Sequence, residues 1–86
     1  GSLIRLVVSD IPSYNHLVKF KEMIQKQVRG VNGVYQRDFN TGTATLDVNV
    51  AATSQILVDA LVVIEYGDFV IDITNITQNS VNLKMR

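Results

Sequence analysis

Thr43-Ala44-Thr45-Leu46-Asp47-Val48-Asn49-Val50 alternates without a break: Ala44, Leu46, Val48 and Val50 fall on one side, Thr43, Thr45, Asp47 and Asn49 on the other. A period of two over eight residues is a β-strand with one dry and one wet face, so the sheet is expected to be covered on one side only. Just upstream, Asn40-Thr41-Gly42 reads as a three-residue hairpin loop that joins this strand to another over Val34 to Phe39. Further upstream, Leu17, Phe20, Ile24 and Val28 recur at spacings of three and four. That is one face of a helix from Tyr14 to about Val28, with Ser13 as N-cap and Gly30 closing it. Leu3 to Val8, short and rich in branched residues, reads as the first strand.

Downstream, Thr53-Ser54 caps a second helix over about Gln55 to Tyr66, ended by Gly67, with a main apolar stripe of Ile56, Leu57, Ala60, Leu61 and Ile64. Phe69 to Thr74 is a strand with Phe69, Ile71 and Ile73 inward. Val81, Leu83 and Met85 alternate in a last one, which forms a hairpin with it. The order β-α-β-β-α-β-β predicts an α+β sandwich: two helices on one face of an antiparallel sheet, ferredoxin-like, with an extra C-terminal strand at the edge.

The 86 residues are 47% hydrophobic and 19% charged, which suits one small domain over residues 3–86 and argues against disorder. Gly1-Ser2 reads as a tag remnant, so the chain is expected to be a domain of something longer. Eight basic and eight acidic side chains cancel, which weakens the case for nucleic-acid binding by bulk charge. With no cysteine there is no disulfide, thiolate metal site or cysteine nucleophile. No apolar run reaches the ~20 residues of a membrane span, and no cleavable signal opens the chain.

The run Gly30-Val31-Asn32-Gly33-Val34 after the first helix, followed by the alternating hairpin and an apolar second helix, resembles the heavy-metal-associated domain. Those domains hold metal through two cysteines in the loop before the first helix. Here that loop is Ser9-Asp10-Ile11-Pro12-Ser13, so metal transfer does not carry over. The same order is similar to ring-building and secretin-type domains of bacterial envelope machines, which lack catalytic residues and assemble side by side. This likeness implies a protein-assembly role and a bacterial envelope or periplasmic setting.

Chemistry-bearing residues are sparse. The single histidine, His16, lacks a second ligand or a placed nucleophile nearby and reads as a partly exposed helix residue. Asp68 and Asp72 are spaced roughly 13 Å apart by strand rise, too far for the usual acid–base pair, and read as a solvated face. The glycines are dispersed at turns and form no phosphate loop. Asn75-Ile76-Thr77 matches the glycosylation pattern, as such triplets often do by chance. An enzyme is therefore not expected, and neither is a cofactor or a metal. A small regulatory ligand-binding domain is a further option that no motif favours.

Binding features are richer. Residues 1–37 carry six cations against two anions and residues 38–86 the reverse, with no cation between Asp38 and Lys84. Lys19, Lys26 and Arg29 fall close together on the outer side of the first helix. Val58 and Val62 lie off the main stripe of the second helix beside Asp59, leaving it covered by another domain or exposing a sticky strip. Lys19, Lys26, Arg29, Val58, Asp59 and Val62 are thus the expected protein interface, with another copy or a neighbouring domain as partner. The alternative is a single-stranded nucleic-acid face: Tyr35, Arg37 and Phe39, two apart along a strand, would stand in a row on the open side of the sheet. Against it, the third strand lacks the basic-Gly-aromatic pattern of RNA-recognition motifs.

Overall fold

The computed structural model describes residues 2–86. The elements are β1 (Ser2–Ser9), α1 (Tyr14–Gln27), β2 (Val31–Asn40), β3 (Thr43–Val50), α2 (Ser54–Val62), β4 (Ile71–Ile76) and β5 (Ser80–Met85). The expected order of two helices and five strands is present, and the fold is α+β. The sheet, however, is mixed and runs β2-β3-β1-β5-β4. β5 is not an edge addition. It lies between β1 and β4, parallel to β1 and antiparallel to β4. In that position Val81, Leu83 and Met85 are all buried beneath the helices.

Both helices lie on one side of the sheet. Ile4, Leu6 and Val8 of β1, the alternating apolar residues of β3, and Val81, Leu83 and Met85 of β5 form one core with Leu17, Phe20 and Ile24 of α1 and Leu57, Val58 and Leu61 of α2. Positions in between, such as Leu3, Arg5, Asn82 and Lys84, face solvent. Ser13 caps α1 by accepting from the His16 N–H, and Thr53 caps α2 by accepting from the Ile56 N–H. α1 ends at Gln27, so Lys26 and not Arg29 is the cation of its last turn.

The β2–β3 loop is one residue shorter than expected, because Asn40 pairs with Thr43. Thr41 and Gly42 both take positive φ, 53° and 74°, the conformation of the tightest hairpins. The Gly42 carbonyl accepts from the Ile11 N–H at 2.9 Å, pinning the hairpin tip to the loop before α1. No helix among the described residues is long and apolar enough to cross a membrane.

α2 is shorter than expected, and its buried side is turned. Ser54, Leu57, Val58 and Leu61 point inward, while Ile56 of the expected stripe is 58% exposed. The turn is about 80° by helix geometry. Its cause is the β4–β5 hairpin beneath the helix, to which Ser54 Oγ donates a hydrogen bond at the Thr77 carbonyl. Ile64 lies beyond the helix end and is half-buried.

Candidate interaction surface

The open side of the sheet carries an ion-pair triad across three strands. Asp47 of β3 pairs with Arg5 of β1 and Tyr35 of β2 in the ladders. Its carboxylate accepts from Arg5 Nε and Nη2 at 3.0 and 3.3 Å and from Arg37 Nε at 2.9 Å. These hydrogen bonds, Arg5's first and Arg37's second, hold the Asp47 carboxyl below the usual carboxylate range, against the desolvation that would raise it. A carboxyl that ionises more readily folded than unfolded adds stability above about pH 4 and loses it as pH falls through its lowered native value. Both guanidiniums are more than half exposed, so water screens the pairs. Asp47→Asn is expected to cost about 1 kcal/mol at pH 7. In thermal denaturation across pH, the gap to the wild type should close below about pH 4.

The row Tyr35, Arg37, Phe39 is split. The ladder slips between Gln36 and Asp38, so Arg37 is the extra residue of a bulge. Beyond it the alternation is reversed. Tyr35 and Arg37 stay on the open side, the guanidinium 5.5 Å from the ring centroid, while Phe39 pairs with buried Ala44 and meets Tyr14 of α1 edge-on. The nucleic-acid face thus keeps one aromatic, already stacked with an arginine that is tied to Asp47. Tyr35 also lies over Gly33: a Cβ there would come within 2.5 Å of the phenol oxygen.

The charge division along the chain is bridged in part where the two halves meet in space. Three of the four ion pairs among the described residues join a cation of residues 1–37 to an anion of residues 38–86: Arg5 and Arg37 to Asp47, and Lys19 to Asp68 at 3.8 Å. The asymmetry is partly spent inside the molecule. Lys19 is engaged there, while Lys26 and Arg29 are exposed and make no ion pair among the described residues. His16 sits with its Nδ1 2.7 Å from Ser13 Oγ and its ring 5.5 Å from Phe69. Asp72 accepts from Arg86 Nε at 2.6 Å.

Of the expected apolar flank, Val62 and Asp59 are exposed, but Val58 is core, only 5% exposed. The aliphatic side chains that do face solvent in this region are Ile56, Val62, Val63 and Val70, with Val63 77% exposed. Val62, Val63 and Val70 border a shallow cleft of about 220 Å³ whose lining includes Glu65 and Ile71. Its floor is fixed by an aromatic cluster: Tyr66 stacks on Phe69 at 4.9 Å, and both meet Phe20 of α1. The Tyr66 hydroxyl donates to the Leu61 carbonyl at 2.8 Å, satisfying an acceptor at the end of α2, and burial pushes its ionisation upward. Val63 and Val70 were missed as surface residues because they sit in a segment that reads as helix end and strand start.

Comparison with protein-family models, curated proteins and solved structures gives no match to this chain.

Proposed function

We propose that this chain is a non-catalytic protein-interaction module that docks through the outer side of α2 and the segment after it. One observation carries the reading: Val62, Val63 and Val70 are all at least half exposed and border one cleft, and α2, which also exposes Ile56, carries Asp59 as its only charge. A solvated helix ordinarily turns charged side chains outward, and clustered aliphatic groups lower free energy when a partner covers them. Lys26 and Arg29 at the end of α1 supply cations for an acidic part of the same partner, which makes docking salt-sensitive. The partner is a neighbouring domain of a larger assembly or another copy.

The test compares the wild type with a Val62→Lys, Val63→Lys double variant. Each substitution is expected to change stability by less than about 0.5 kcal/mol, because both side chains are at the surface. Sedimentation at rising concentration and falling salt, together with retention of proteins from a native extract, should show association by the wild type and its loss in the variant. Equal behaviour of the two proteins in both assays would sink the reading.

A further inference from the structure

The two edges of the sheet are not equally defended. β2 carries two irregularities in its pairing, and Tyr14 and Lys21 of α1 hydrogen-bond to Gln36 on its flank. β4 has no strand on its outer side and contains neither lysine nor proline, two common guards of a bare edge. Its one bulge lies between Ile73 and Asn75, so its first half is regular. Immediately before it, Val70 exchanges both backbone hydrogen bonds with Arg86, at 2.9 and 3.0 Å. Backbone groups alternate in direction along an antiparallel strand, so those of Asp72 also face β5, and those of Ile71 and Ile73 face away from it.

The same stretch borders the cleft formed with Val62, Val63, Glu65 and Val70. Glu65 makes no ion pair among the described residues. We infer that the β4 edge accepts an extended segment of another protein as a sixth strand. Its backbone bonds to Ile71 and Ile73, a valine or isoleucine side chain enters the cleft, and an adjacent lysine or arginine meets Glu65. Strand addition of this kind takes affinity from main-chain hydrogen bonds and selectivity from pockets beside them. Charge chooses the occupant. The cations that reach this side, Lys19 and Arg86, are already paired with Asp68 and Asp72, which leaves the carboxylates of Asp59 and Glu65 without an ion-pair partner among the described residues. A second copy presenting its own β4 would bring carboxylates of the same sign to the seam, whereas a cationic segment is attracted. The inference rests on the interaction-module reading and specifies its partner.

Random peptides displayed on phage, selected against the intact chain, test it. The selected sequences should share a β-branched aliphatic residue next to lysine or arginine. A synthetic copy of one should slow hydrogen exchange at the Ile71 and Ile73 amides by at least about tenfold, leaving the Asp72 amide nearly unchanged because β5 already protects it. Val63→Glu should weaken binding about tenfold and Glu65→Gln about threefold, the latter effect shrinking at high salt. Peptides that bind the outer side of α2 without protecting Ile71 and Ile73 would overturn strand addition while sparing the interaction module. No enrichment, acidic peptides, or binding at Tyr35 and Arg37 would overturn the inference. So would concentration-dependent protection of the two amides without peptide, which would make a second copy the occupant.

Discussion

Lysine in place of Val58 is expected to destabilise the domain by about 3 kcal/mol, against less than about 0.5 kcal/mol for lysine at Val62, one turn further along α2. Val58 belongs to the core and Val62 is half exposed, so the same chemical change meets two environments. At Val58 the ammonium must lose its proton, drag its stem to the surface or open the packing around Leu57 and Leu61. A domain of this size has a stability of roughly 4–13 kcal/mol, so the loss is a large share of the whole. Melting temperature should fall by about 12–20 °C for Val58→Lys and by a few degrees at most for Val62→Lys. Equal effects at the two sites would mean that α2 is rotated from the orientation described.

Truncating Phe20 to alanine is expected to cost about 3–5 kcal/mol, the range for removing a fully buried aromatic ring. Phe20 is fully buried and touches Tyr66 and Phe69, which tie the segment after α2 to α1. The damage should therefore extend beyond stability. Phe20→Leu keeps most of the volume and should fold, but with a looser Tyr66–Phe69 stack, and near-ultraviolet circular dichroism would report the loss of aromatic order. Chemical denaturation of Phe20→Ala gives the energetic side of the same prediction.

These two sites also mark what was and was not legible in the sequence. α1 was legible because its inward residues are separated by charged and polar ones, leaving one phase for the helix. β3 was legible for the same reason, at a period of two. α2 was not, because Ile56, Leu57, Val58, Ala60, Leu61 and Val62 offer apolar residues to two competing phases. The choice is made by the β4–β5 hairpin, a long-range contact that propensity does not encode, and the only local clue was Ser54, a small polar residue turned inward. Phe39 was misplaced because a bulge at Arg37 reverses the alternation, and nothing in Gln36-Arg37-Asp38 marks an extra residue. The position of β5 depends on parallel pairing across some seventy-five residues, beyond the reach of local patterning. The open sheet face was legible from Asp47 and its neighbours, but not that two arginines from other strands converge on that one carboxylate.

The interior place of β5 governs when the domain can close during synthesis. β5 is made after the other four strands of the domain yet is flanked by β1 and β4, so a nascent chain ending near Asn79 has a gap where the sheet should close. Such a chain leaves the pairing groups of β1 unmatched along the side that β5 would cover, and removes Val81, Leu83 and Met85 from beneath the helices. Folding of this domain is thereby deferred until β5 has been made, and a chain stopped short of it would expose unpaired strand edges.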